Sequence, residues 1–291
     1  MKQTRIHVLR LIVTLSLCWT MHAAADLNSA MAAMESRDNP LLLVSTSQGA
    51  VYIELYPGEA PRNATFFSEL AQGESVLADP RTGASLPPSP YFDGLAFYRS
   101  IPGLLVQAGI PWQQVTGLPV NEPPEEINAA GLGLNRIPLF NPDGSLNERM
   151  NVSGRRDFEN RVLIPLYRSL GVESEQELVD RQDELRRALD DLTLQQAYEN
   201  NGINFSDGPV TRPFSRGSVG LVRSLPGSNG PEFFIMTADA DWLTGRYTVV
   251  GRVVEGMEVV ERIDRQTAST RTGSPNRAEI QTMRQVNQRV D

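Results

Sequence analysis

Two polar side chains, Arg99 and Gln107, interrupt an otherwise apolar run, YFDGLAFYRSIPGLLVQAG at residues 91–109. Leu95, Phe97, Leu104, Val106 and Ala108 supply apolar side chains there at strand spacing. An arginine among core-forming residues must keep its charge in water or find acceptors. What it can bring to chemistry is a permanently charged hydrogen-bond donor. Taken alone, the run reads as an apolar hairpin whose Arg99 snorkels to solvent from a strand end. Asp93-Gly94 is a turn dipeptide of the kind that joins two hairpin strands, and Pro102-Gly103 predicts a tight bend.

Composition narrows what else can react. Residues 1–25 have the pattern of a secretory signal: Lys2, Arg5 and Arg10, an apolar centre from Leu11 to Trp19, then Ala23-Ala24-Ala25 for cleavage. That centre is shorter than the roughly 20 residues that span a bilayer. The only Cys (Cys18), the only Lys (Lys2) and both His (His7, His22) lie inside it or beside it. A chain starting near Asp26 therefore has no thiol, imidazole or ammonium side chain. A Ser-His-Asp triad, a Cys nucleophile, a Schiff-base Lys and a His- or Cys-bound zinc are excluded. No cofactor is expected, and Asn141-Pro142-Asp143-Gly144 is a turn without the alternating carboxylates of a calcium loop. The formal charge of −8 becomes −11 once the three basic signal residues are gone. Such a surface repels phosphate backbones and argues against nucleic-acid binding. These features predict a soluble, exported protein, which is expected to be a monomer.

The elements that must position Arg99 are short. Leu41 to Val44 and VYIEL at Val51 to Leu55 predict a hairpin, with Val51, Ile53 and Leu55 on one face. Ala60-Pro61 opens a helix that carries Phe66, Phe67 and Leu70 on one side and closes at Gly73. Residues 78–90 are rich in proline and predict a loop. From Glu125 to Arg212 the character changes to a helical insertion with one long helix, 174–200. Ser174 with Glu177 gives it a capping box, Leu178, Leu185, Leu189 and Leu192 an apolar stripe, and Gly202 its stop. Glu177–Arg181 and Asp183–Arg187 are favourable i,i+4 pairs on it.

Strands resume at Gly217 to Val222, at EFFIM from Glu232 to Met236, and at Tyr247 to Val254. In EFFIM, period two sets Phe234 with Glu232 and Met236 against Phe233 and Ile235, so one face lines a core and the other a pocket. Met257 to Ile263 predicts a short helix with Val259, Val260 and Ile263 inward, and Ile280 to Val286 a last strand after a Gly273–Pro275 turn. Many short strands, two helices and one helical insertion predict a mainly β fold, a closed or nearly closed antiparallel barrel.

Four blocks in this order resemble the cyclophilin-type peptidyl-prolyl cis-trans isomerases: VYIELYPGEAPRNATFFSELAQG (Val51–Gly73), YFDGLAFYRSIPGLLVQAG (Tyr91–Gly109), RGSVGLV (Arg216–Val222) and NGPEFFIMTADADWLTGRYTVVGRVVEGMEVVERI (Asn229–Ile263). The resemblance implies a closed eight-stranded antiparallel barrel capped by two helices, in one domain over 26–291 with the insertion at 118–211. It sets Arg99 on the family's catalytic arginine, within FYR where FHR is commoner, so that Tyr98 replaces a histidine. Gln107 falls on the pocket glutamine, Phe234 on the phenylalanine at the floor of the proline pocket, and Trp242-Leu243 on the pair beside it. Tyr247 stands where a histidine often lies, Leu104-Leu105 replace Phe-Met, Val250 replaces a phenylalanine, and Val222 completes the substrate-binding set. Glu232 is the main departure, since the family has Gln there. An amide donates and accepts, whereas a carboxylate only accepts and, if paired with Arg99, leaves the arginine less free to donate.

The reaction implied is one that a chain without His, Cys or Lys can perform. Its barrier is the loss of amide resonance, about 18–20 kcal/mol, and a donor that binds the twisted amide better than the planar one lowers it. Two functions are expected: an isomerase for proline-containing exported proteins, or a catalytically weak cyclophilin-fold module that binds peptide or acts as a chaperone. Because a chain starting near Asp26 has no other classical catalytic side chain, and Phe234 and Trp242 come in the order that would complete the pocket the resemblance implies, Arg99 reads as catalytic rather than structural.

Overall fold

A computed structural model describes residues 25–110, 117–269 and 277–287. The signal segment up to Ala24 and the Gly273–Pro275 turn lie outside these residues. A helix not expected from the sequence, α1 (Leu27–Ala33), comes first and is capped by Asp26, which accepts from the Asn28 amide at 3.0 Å. Strands β1 (Leu41–Thr46) and β2 (Gly49–Leu55) form the expected hairpin, with Leu42 opposite Ile53 and Val44 opposite Val51. Helix α2 (Pro61–Gln72) starts at its proline and stops at Gly73. The loop expected over 78–90 contributes strand residues, in β3 (Leu77–Ala78) and β4 (Ser85–Leu86). After the hairpin of β5 (Arg99–Ile101) and β6 (Leu105–Ala108), β7 (Leu118–Pro119) pairs with β3 and completes a small three-stranded sheet, β4-β3-β7.

The insertion departs furthest from expectation. Helix α3 (Arg155–Phe158) runs through a π turn into α4 (Ile164–Ser169). The single helix expected over 174–200 is three: α5 (Glu175–Asp180), α6 (Gln182–Asp190) and α7 (Leu194–Asn200). Arg181 leaves the helical region at φ −108°, ψ 19°, and Thr193 is extended. Thr193 then starts α7 with a reciprocal cap, its hydroxyl accepting from the Gln196 amide at 3.3 Å and its own amide donating to the Gln196 side chain at 2.9 Å. Ser174 makes only half of such a box, because Glu177 accepts from the Glu173 amide instead. Arg181 pairs with Glu184 rather than Glu177, and Arg187 donates to the Asp183 carbonyl rather than its carboxylate. Leu134, Leu139, Met150, Leu166, Leu194 and Tyr198 give the insertion a core of its own.

Beyond it, β8 (Ser218–Leu225) and β9 (Ser228–Met236) make a long hairpin turned at Pro226-Gly227, followed by β10 (Val249–Glu255), helix α8 (Met257–Ala268) and β11 (Ile280–Gln285). The main sheet is antiparallel, in the order β11-β1-β2-β10-β8-β9-β6-β5. It curls around a core to which α2 contributes Phe66, Phe67 and Leu70 and α8 Val259, Val260 and Ile263. Phe233 points into that core, edge-on to Phe67 and Phe92 at 5.2 and 5.5 Å between ring centres. No helix among the described residues is long and apolar enough to cross a membrane.

The barrel is not closed, which corrects the expectation. β5 and β11 end the ladder, and the irregular segment 91–98 lies between them. It bonds to the other edge singly: Gly94 to the Ile280 carbonyl at 2.7 Å, Ile280 to that of Leu95 at 2.8 Å, and Phe97 to that of Ala278 at 2.9 Å. Asp93-Gly94 does turn the chain, with Gly94 at φ 76° and the Leu95 amide donating to the Phe92 carbonyl at 3.1 Å, but it joins no two hairpin strands. The two Asp93 carboxylate oxygens accept from Arg284 at 2.8 and 2.6 Å, beside β11.

Candidate active site

Register sets Arg99 opposite Gln107, Gln107 opposite Phe234, and Phe234 opposite Gly220. Paired residues of antiparallel strands point to the same side, so four strands deliver one lateral row. The row lies on the outer face, because the alternate residues Val106, Phe233, Ile235, Val219 and Leu221 enter the core. Around it Leu105, Phe234 and Leu243 are buried in a second apolar cluster, with Leu104, Val222, Trp242 and Tyr247 packed against them. The candidate residues are thus brought together on one patch. Val250 is not among them: it faces the barrel core, and Val249 takes the outer side.

Phe214 was not foreseen. It stacks on Phe234 with ring centres 5.4 Å apart and planes 24° apart, while Tyr247 stands edge-on to Phe234 at 5.3 Å. Gly220 makes this possible: a Cβ there would clash with the Phe234 ring and lie 2.8 Å from Phe214 Cε1. Phe234 is left 3% exposed, so the rim residues Leu104, Trp242 and Tyr247 present more surface than the floor. An aromatic just before a glycine-bearing strand was the available signal for Phe214. Its amide donates to Thr244 Oγ1 at 3.1 Å and its carbonyl accepts from Ala240 at 3.2 Å, which ties it to the segment carrying Trp242.

The polar part is a chain of hydrogen bonds. Exposed Arg99 donates from Nη1 to Gln107 Oε1 at 2.8 Å. Gln107 Nε2 donates in turn to Glu232 Oε1, which also accepts from the Tyr98 hydroxyl. Glu232 does not pair with Arg99, and Gln107 stands between the two. Burial pushes the Glu232 carboxyl up to about 7, although two accepted hydrogen bonds favour the ionised form.

Arg99 owes its place to a bend and a clamp. Pro102-Gly103 turns β5 back into β6, with Gly103 at φ 71°. From α8, buried Asp264 accepts from the Ser100 hydroxyl and from the Gly103 amide, the latter at 2.9 Å. The sequence reading missed Asp264, whose one signal was an acid lying on the inward stripe of Val260, Ile263 and Thr267.

Known proteins share stretches of this chain. The family described as cyclophilin type peptidyl-prolyl cis-trans isomerase/CLD matches residues 41–285. A Brucella abortus protein named "probable peptidyl-prolyl cis-trans isomerase" is 48% identical over 66 residues, 21% of this chain and 34% of its own length. The chain thus spans about a third of the first curated relatives it matches. Peptidyl-prolyl cis-trans isomerase B of Streptomyces anulatus is 24% identical over 80% of this chain and 87% of its own. A crystal structure of a Cryptosporidium parvum cyclophilin type peptidyl-prolyl cis-trans isomerase superposes with a TM-score of 0.46 at 14% identity, covering 86% of this chain and 98% of that one. With a family match running from β1 to β11, the chain belongs to the cyclophilin-type peptidyl-prolyl cis-trans isomerase family.

Proposed function

We propose that this protein isomerises X-Pro bonds of exported polypeptides in the periplasm. The observation that carries the reading is Arg99, fixed through one nitrogen by Gln107 at the edge of the apolar patch around Phe234. Among the described residues Gln107 takes Nη1 alone, so the other guanidinium donors are available to a peptide. The proline ring sits against Leu104, Trp242 and Tyr247, and Arg99 donates to the amide as it twists. No covalent step or proton transfer is required. The clients are unfolded or folding chains with accessible prolines. The signal segment supports export, and an N-terminus at Asp26 in protein recovered from the periplasm tests that part.

A second reading, a binding module with weak catalysis, is favoured by the cover over Phe234 and by Glu232. A protease-coupled proline-peptide assay alongside a peptide-binding titration separates the two. Turnover above buffer supports the isomerase, whereas retained binding with turnover at the buffer level sinks it.

A further inference from the structure

The insertion meets the rest of the chain at the loop that carries Trp242. Arg149, in the 3-10 turn Glu148–Met150, reaches Asp241 Oδ2 through Nε at 2.6 Å. In the opposite direction Arg246 Nη2 donates to the carbonyls of Arg149 and Met150 at 2.9 and 3.0 Å. The Arg246 guanidinium lies 4.7 Å from the centre of the Tyr198 ring. Tyr198 itself donates to the Arg149 carbonyl at 3.1 Å, so one carbonyl serves both groups. Gly245 fits beneath Leu134, where a Cβ would come 2.5 Å from Leu134 Cδ1. The segment 241–246 is therefore bracketed at both ends, with Trp242 and Leu243 between the brackets. Leu134, Met150 and Tyr198 belong to the insertion's own core, so what holds the loop is itself packed.

We propose that the insertion is a buttress for the Trp242 wall of the proline-binding patch, with Arg149 as its positioning residue; this rests on the peptide-binding site assigned above. A held loop meets the proline ring without a further ordering cost. A released loop weakens binding while leaving Arg99, on β5, where it was. Affinity suffers and the rate of the bound complex does not.

Arg149→Glu tests this by placing a second carboxylate beside Asp241. The expected result is a KM for an X-Pro peptide raised about three- to tenfold, the scale of a partly exposed ion pair lost and reversed, with kcat changed by less than about twofold. Amide hydrogen exchange at 241–247 speeds up while that of β8 and β9 does not. Adding Asp241→Arg restores both. A fall in kcat at constant KM, or unchanged exchange at 241–247, overturns the buttress. If the wild-type chain does not isomerise at all, the isomerase reading fails, but exchange and its rescue by the double variant still decide this one. Should Arg149→Glu not fold, Arg149→Met, which removes the same ion pair, is read by KM against kcat and by exchange at 241–247.

Discussion

At Glu232 a carboxylic acid stands between Gln107 and Tyr98, and in the proposed function its proton decides what the site offers a peptide. Ionised, it only accepts. Protonated, it both donates and accepts, as the amide of a glutamine does. Since burial raises its pKa to about 7, kcat/KM measured by NMR exchange on a proline peptide is expected to be several-fold higher at pH 6 than at pH 8, within the range of one hydrogen bond. Glu232→Gln should abolish the inflection and keep the higher level at pH 8; a flat wild-type profile would sink this account. Stability follows the same proton. The folded state holds it between the ordinary value of 4.5 and about 7, where the unfolded chain has released it. This contribution is complete below the ordinary value and is lost as pH rises through about 7, so the falling limb should vanish in Glu232→Gln. Arg99→Ala addresses the other end of the chain of hydrogen bonds. Loss of the one charged donor should lower kcat/KM about 10²- to 10³-fold, and the exposed side chain should leave the unfolding temperature nearly unchanged; residual activity near wild type would remove Arg99 from the mechanism.

Between residue and molecule, the hairpin of β5 and β6 is the element that places Arg99, and α8 holds it. Asp264→Ala leaves the Gly103 amide and the Ser100 hydroxyl without their acceptor, at a cost of about 1–3 kcal/mol. Thermal unfolding should show that loss, and kcat/KM should fall about tenfold as the hairpin loosens. Asp264→Asn, which keeps an acceptor, should recover part of both; full activity in Asp264→Ala would show that the bend alone positions Arg99. The difference between this hairpin and its clamp is also the difference between what was legible in the sequence and what was not. Strand alternation sorted Phe233 from Phe234, and Pro61 and Gly73 marked the ends of α2, because those signals are local. The row Arg99–Gln107–Phe234 came from motif order, and register then confirmed it as neighbours. Asp264, Phe214 and Gly220 act across long sequence separations, so no window of sequence exhibits their partners. One of the two breaks in the expected 174–200 helix carries a local signal, since Thr193 with Gln196 is a capping box, whereas the break at Arg181 has no cap to mark it.

For the molecule as a whole, the open seam between β5 and β11 makes the two sheet edges depend on a few contacts instead of a ladder. Backbone bonds at Gly94, Leu95 and Phe97 join them, and the bidentate Asp93–Arg284 pair holds the crossing segment against β11. The pair is partly exposed, so solvent screening limits its worth, yet Asp93 also accepts from the Met283 amide and fixes the segment's direction. Arg284→Leu should therefore cost about 1 kcal/mol and lower the unfolding temperature by roughly 2–4 °C. The loss should appear as faster hydrogen exchange at both 94–97 and 280–284, since the seam opens as one unit. The candidate site is built on β8, β9 and the hairpin of β5 and β6, so kcat/KM should stay near wild type at 25 °C. An unchanged unfolding temperature would mean that the backbone bonds close the seam unaided, and a large loss of activity would mean that the seam and the Arg99 hairpin move together.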